Sequence, residues 1–246
     1  MIRRYAALDT SNMKRVLLQP AYVLHRRSYR ETSYLVELFT PEYGRLTVVA
    51  SGVRSPRSAM QGLLQPFVPL LVSWVGKGEL MRLTQVDVNG LMQHLQADCL
   101  FAGFYLNELL MALLQKWDAH PDLYAVYEKT ITALQFSTLE QKTLRVFEKT
   151  LLQELGYGLL GASDVSLHHA FLPDKYYRYI HEQGFVVCDG MNEANTGNIF
   201  SGKSLIAILK EDWQQEDCLL DAKRLMRLAF APLLGMKVIH SRRLFM

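Results

Sequence analysis

Apolar residues recur with one period in the first third of this chain and with another in the rest, and that change limits the folds open to it. Over residues 16–88 they alternate with polar residues or gather in short runs broken by turn residues, the pattern of strands. Residues 16–25 and 33–40 read as the first two strands, and 41–44 (PEYG) as a turn into a third over 45–50. Residues 66–75 and 79–88 read as a hairpin across Gly76-Lys-Gly78. Five short strands suit a five-stranded Greek-key barrel of OB type; a small sandwich fits the count nearly as well. From about Gln96 the period becomes helical. It predicts helices over 96–117, 122–136 (opened by Pro121), 139–155, 201–210 and 218–234, with a small hairpin within 176–187. Thr138 and Gln141 form a capping box for the third helix, and Gly156 or Gly158 stops it. The expected fold is α+β: an arm over 1–15, an OB-type barrel over 16–90, and a mostly α-helical domain over 91–246. No long linker separates barrel from helices, so the two are expected to pack together.

Half the residues are hydrophobic, which excludes a disordered chain. The longest apolar stretches, such as 109–114, fall well short of the ~18 residues of a membrane span. The first twenty residues carry polar DTSN where a signal peptide needs its apolar stretch, so residues 1–12 read as an arm or precede a start at Met13. Cys99, Cys188 and Cys218 lie far apart with no C-x-x-C, which favours reduced thiols in a cytoplasmic protein over disulfides or zinc. No cofactor or metal is expected.

Charge is distributed unevenly. Through Arg82 there are twelve Lys and Arg against five Asp and Glu, a surplus of seven, while the remainder has fifteen against nineteen. Ten of the twelve are arginine, whose planar fork suits phosphate. Such asymmetry is the footprint of a nucleic-acid-binding surface. Arg26, Arg27 and Arg30 fall in the expected loop after the first strand. Arg54 and Arg57 fall in the small, hydroxyl-rich loop 51–62 before the fourth. Two basic loops leaving one barrel can wrap a phosphate chain, and Tyr29, Tyr34, Tyr43 and Trp74 are the aromatics available for base stacking, although strand aromatics more often pack inward.

Three motif matches carry less. Gly197-Asn-Ile-Phe-Ser-Gly202-Lys203-Ser204 fits the P-loop pattern letter for letter, but a polar, turn-like stretch precedes it where a buried strand must deliver the loop. Gly156-Tyr-Gly158-Leu-Leu-Gly161 fits a dinucleotide fingerprint yet follows a helix, so it reads as a helix stop. His168-His169 has no ligand cluster at metal spacing. No nucleophile–base pair stands out, and the chain is expected not to be an enzyme.

Read in order, Val23-Leu-His25, Arg30-Glu-Thr-Ser33, Gly44-Arg45, Ala50-x-Gly52-x-Arg54-Ser55 and Leu64-Gln-Pro-Phe67 resemble the RecO family of recombination mediators. The likeness continues through Tyr105-x-Asn107-Glu-Leu-Leu110, Arg145-x-Phe147-Glu148, Leu155-Gly-Tyr-Gly158, Lys223-Arg224 and Ser241-Arg-x-Leu-Phe245. The resemblance implies an amino-terminal OB barrel on a helical domain, and binding of single- and double-stranded DNA with annealing of complementary strands. It further implies help in loading the RecA recombinase, with RecR and the acidic tail of single-strand DNA-binding protein as partners, in a cytoplasmic, nucleoid-associated setting. The four-cysteine zinc module of some members is not carried over, since only Cys188 stands in that region. The implied DNA contacts are Arg54 and its loop, supported by Arg30 and Arg45. The cationic flank Lys142, Arg145 and Lys149 of the third helix could receive an acidic peptide ending in an apolar residue. A protein-docking barrel without DNA binding, and a P-loop nucleotide enzyme, are the competing readings.

Overall fold

A computed structural model describes residues 14–55, 58, 60–90, 94–136, 139, 141–158, 171–188, 197–214 and 216–244. Residues 1–13 of the expected arm, the Thr138 cap, Arg57 and His168-His169 lie outside them, while Lys14 and Arg15, expected in the arm, begin the first strand. One compact unit extends to Ala125 and takes in the segment from Ser241; the other is Val126–His240.

The first unit is built on five strands: β1 (Lys14–Tyr29), β2 (Ser33–Thr40), β3 (Gly44–Ala50), β4 (Leu70–Gly76) and β5 (Leu80–Val88). They close into a barrel in the order β1-β2-β3-β5-β4, with β3 and β5 parallel and every other pair antiparallel. This is the expected OB-type α+β arrangement, and closure removes the free sheet edges. Alternate residues point inward, so Val23, Val36, Leu38, Leu46, Val48, Val72, Trp74 and Met81 fill the barrel. Trp74 is 1% exposed, and Tyr43 meets it edge-on at 5.2 Å. Both belong to the core side of the wall and are corrected as base-stacking candidates.

β1 is longer than its sequence pattern implies because it serves two neighbours. Lys14 to Ala21 pair with β4, and Tyr22 to Tyr29 pair with β2. The strand turns from one partner to the other through two irregularities, between Val16 and Gln19 and between Val23 and His25. A bulge leaves a backbone group off the ladder, and such a group must be satisfied elsewhere. At the second bulge the carbonyl of Leu24 accepts a 2.9 Å hydrogen bond from Asn107 Nδ2. Asn107 lies in α2 (Ala97–Leu113) and is buried. It therefore holds a helix against the barrel wall. Tyr22 and Phe39 extend that contact, each within 6 Å of the Tyr124 ring.

A short helix, α1 (Met60–Leu63), sits between β3 and β4 and is too brief for any periodicity to announce. Gly44 begins β3 at φ +61°, where a Cβ would lie 1.7 Å from the carbonyl oxygen of Asp118. Only glycine fits there. The chain closes on this unit with a 3₁₀ turn, Ser241–Leu244. The amide and hydroxyl of Ser241 donate to Glu108 Oε2, and the Arg242 guanidinium lies 5.3 Å from the Tyr105 ring.

α3 (Pro121–Phe136) spans the division between units. The second unit adds α4 (Gln141–Glu154), β6 (Tyr176–Ile180), β7 (Gly184–Cys188), β8 (Ile199–Ser201), α5 (Gly202–Lys210) and α6 (Glu216–Leu234). The anticipated hairpin is β6 and β7, and β8 joins it as a third strand in the order β7-β6-β8. α4 stops as its glycine foretold. Gly156 adopts φ +84°, its amide bonds the carbonyl of Gln153, and the amide of Tyr157 bonds that of Leu152. That is a Schellman stop, not a dinucleotide loop.

Candidate nucleic-acid interface

Residues paired across neighbouring strands share a face, so the register decides which cations stand together. On the outside of the barrel Arg27 pairs with Leu35, Leu35 with Val49, and Val49 with Arg82. Arg27 and Arg82 are exposed, while Leu35 and Val49 between them are half-buried. Three strand steps in a closed five-stranded barrel carry this row more than halfway round the wall, so Arg27 and Arg82 stand on different sides of it, with Leu35 and Val49 along the row between them. Two more arginines join at one end. The amide of Arg54 bonds the carbonyl of Thr32, and Arg54 Nη1 donates to the carbonyl of Arg30 at 3.2 Å. The β3–β4 loop thereby docks on the β1–β2 turn, anchored by fully buried Val53. Arg30 takes the left-handed conformation at φ 54° and lies over the Tyr29 ring at 5.2 Å. Among the described residues none of Arg27, Arg30, Arg54 and Arg82 has a carboxylate partner, and Glu31 is the acid on the same turn.

The structure corrects the expected set in three places. Arg26 and Arg27 are not in a loop, since β1 runs to Tyr29. Arg26 has the inward phase, turns across the barrel end and donates to the carbonyls of Leu64 (2.8 Å) and Gln61 (3.3 Å), with its guanidinium over Tyr34 at 5.1 Å. It ties the β3–β4 connection to β1, so much of its donor capacity is spent internally. Arg45 is separated from the others. Its side chain is 14% exposed, pairs with Glu37 Oε2 at 3.5 Å and reaches Met111 of α2 at 3.7 Å. Lys116 completes that seam, 3.8 Å from Glu37 and 2.6 Å from the Thr47 hydroxyl. Arg45 thus faces the helix-covered side of the barrel. Arg82 is the member that sequence reasoning missed.

The helical unit carries its own basic site, displaced from the expected flank. On α4, Arg145 is 4% exposed and forms a 3.0 Å ion pair with Glu148, itself 1% exposed. Lys149 donates to Glu211 Oε1 at 2.8 Å and to the carbonyl of Leu209 at 3.1 Å, and Lys142 is exposed. Arg145 and Lys149 are thus engaged in holding the unit together. A second set of cations lies on α6. Leu220, Lys223, Arg224, Arg227 and Leu228 line a groove of about 500 Å³. Their spacing i, i+3, i+4, i+7, i+8 is one helix face, opposite the buried Ala222, Leu225, Met226, Ala229 and Phe230. Arg224 is committed to Asp221 and to the carbonyl of Ile199. Lys223 has its ammonium pKa lowered by burial first and then by Arg227 and Arg145, with Glu148 opposing. A site that disfavours its own cation in this way gains from a bound anion.

The P-loop match has none of the required geometry. Ile199 and Phe200 are buried in β8, the Gly202 amide donates to the carbonyl of Lys175 at 2.8 Å, and the Ser201 hydroxyl caps α5 by accepting from the Ser204 amide. Two of the amides that would cradle phosphate, those of Gly202 and Ser204, are thus already used. No helix among the described residues is long and apolar enough to cross a membrane.

A family model for the Recombination protein O N terminal matches residues 13–91, and one for the Recombination protein O C terminal matches residues 95–230. The curated DNA repair protein RecO of Coxiella burnetii (strain RSA 331 / Henzerling II) is 44% identical over 231 residues, covering 94% of this chain and 98% of its own. That of Dechloromonas aromatica is 43% identical over 92% of this chain and 94% of its own, and that of Methylococcus capsulatus 42% over 94% and 93%. Matched in both parts and in order, with exposed arginines on the wall of its barrel, the chain belongs to the RecO family of DNA repair proteins.

Proposed function

We propose that this chain is a non-enzymatic recombination mediator that binds DNA on its barrel, anneals complementary strands and helps load RecA onto DNA coated by single-strand DNA-binding protein. The observation that carries the reading is the set of four exposed arginines without carboxylate partners among the described residues, Arg27 and Arg82 on the outer wall of the barrel and Arg30 and Arg54 at the β1–β2 turn. Guanidinium groups neutralise phosphates whatever the sequence, and Leu35 and Val49 along the row offer no hydrogen bonds to base edges. Two strands brought to such a surface lose much of the repulsion between their backbones, which lowers the barrier to pairing.

The α6 groove supplies the protein contact. Lys223 and Arg227 receive the carboxylates of an acidic peptide, and Leu220 and Leu228 hold its apolar end, an arrangement in which charge steers and the apolar notch anchors. The acidic tail of single-strand DNA-binding protein fits that chemistry. RecR is a further partner, and RecA is engaged indirectly.

Annealing of complementary oligonucleotides, naked and precoated with single-strand DNA-binding protein, tests the reading. The wild-type chain is expected to accelerate both reactions. Lys223→Ala with Arg227→Ala is expected to keep the first and lose at least tenfold in the second, the equivalent of about 1.4 kcal/mol of docking energy. Annealing of naked strands no faster than without protein overturns the mediator reading. Equal rates for the variant and the wild type on coated DNA overturn the groove.

A further inference from the structure

The mediator reading leaves one part of the barrel unused. At the first irregularity of β1, Val16 pairs with Trp74 and Gln19 with Val72, so Leu17 and Leu18 together oppose the single residue Ser73. β5 is irregular at the same place, where its register against β4 shifts between Ser73 and Trp74. Two bulges therefore flank one residue of β4. Ser73 is 1% exposed and serves both: its hydroxyl accepts the Leu18 amide at 3.0 Å, and its carbonyl accepts the Thr84 hydroxyl at 3.0 Å. Leu18 is held at φ 50°, a conformation that leucine rarely adopts and that costs free energy unless its surroundings enforce it. The outcome is two adjacent leucines turned to solvent, Leu17 54% and Leu18 51% exposed.

Bulges re-aim side chains at working sites, and the surroundings identify what these leucines meet. Lys14 and Arg15 precede them and are exposed. Arg15 pairs with Val75, and Val75 with Arg82, so Arg15 and Arg82 lie two strand steps apart on the outer wall at the base of the leucine pair. A polyanion with a stacked apolar interior matches an apolar tip rimmed by cations. Proteins that kink or unstack nucleic acids use leucine in this way, inserting it between base steps while nearby cations hold the phosphates.

We propose that Leu17 and Leu18 form a wedge that enters the base stack of DNA held on the barrel, with Lys14, Arg15 and Arg82 gripping the flanking phosphates and Ser73 fixing the bulge that presents it. The inference rests on the barrel being the DNA-binding surface. Its consequence is that bound bases are separated from their neighbours and presented for pairing.

The probe is a single-stranded oligonucleotide carrying 2-aminopurine, whose fluorescence rises when its base unstacks. Wild-type protein is expected to raise the signal. Leu17→Ala with Leu18→Ala is expected to abolish the rise and weaken binding about tenfold, the loss of two half-buried leucine contacts, while the slope of affinity against salt stays unchanged. Leu17→Met with Leu18→Met is expected to retain the signal. Since both leucines are more than half exposed, the thermal midpoint of the alanine variant should match that of the wild type. A full fluorescence rise from the folded alanine variant, or no rise from wild-type protein that binds with its normal salt slope, overturns the wedge and leaves the mediator reading standing. Wild-type protein that does not bind the oligonucleotide overturns both.

Discussion

Replacing Arg27, Arg54 and Arg82 together by alanine is expected to weaken single-stranded DNA binding roughly a hundredfold at moderate salt, equally on every sequence tested. Each guanidinium neutralises one phosphate, and each contact contributes about 0.7 to the log–log salt slope on a single strand, so the slope should fall by about 2. All three are exposed and without carboxylate partners among the described residues, so removing them should cost little stability. Arg45→Ala is the contrasting control. Its partner is Glu37, on the side of the barrel that faces α2, so the variant should lose stability and keep its salt slope. Fluorescence anisotropy over a salt series reads both quantities. An unchanged slope in the triple variant would remove the barrel face from the mechanism.

The largest effect on stability is expected at Glu148. Its carboxylate is 1% exposed and lies 3.0 Å from Arg145 Nη1, and it opposes the downward pull on the Lys223 pKa. Glu148→Ala leaves a buried guanidinium beside a second cation. Removing one partner of a buried ion pair destabilises by about 3–5 kcal/mol, because the remaining charge has lost both its water and its counterion. Arg145→Met with Glu148→Leu should recover most of that loss, since a well-packed apolar pair avoids both desolvation costs. Urea unfolding curves for the two variants measure the difference. A single variant no less stable than the double one would mean that the pair is solvated in solution.

How far the sequence discloses this molecule can be judged residue by residue. Alternation in β2 and β3 is plain because each has one face in the core. The far half of β1 is not, because Arg26 holds an inward position and interrupts the alternation just where the strand passes to its second neighbour. Arg82 looks like any solvent-facing residue in LMRLTQV; its place beside Val49 follows only from the parallel pairing of β3 with β5, which no periodicity reveals. Arg45 looks like a member for the opposite reason, since its neutralisation depends on Glu37 lying next to it across a hairpin. On α4 the signal is present in the sequence, because Arg145 and Glu148 are three apart on one helix face, a spacing at which opposite charges meet. The α6 groove is a second stripe at helical spacing opposite the core stripe, and Lys223-Arg224 was its visible part.

The division of β1 between two partners also bears on how the molecule is born. The segment from Lys14 to Ala21 is the first strand made among the described residues, yet its neighbour β4 begins only at Leu70, and the bond from the Leu18 amide to the Ser73 hydroxyl joins residues 55 apart. During synthesis that segment must wait, with its leucines and its unpaired amides, until about fifty further residues have left the ribosome. Closing so distant a pair is entropically expensive and comes late. The nascent barrel therefore passes through an open sheet whose exposed edge is its own amino-terminal strand, and it is at that stage, not in the finished fold, that the chain is most vulnerable to aggregation and proteolysis.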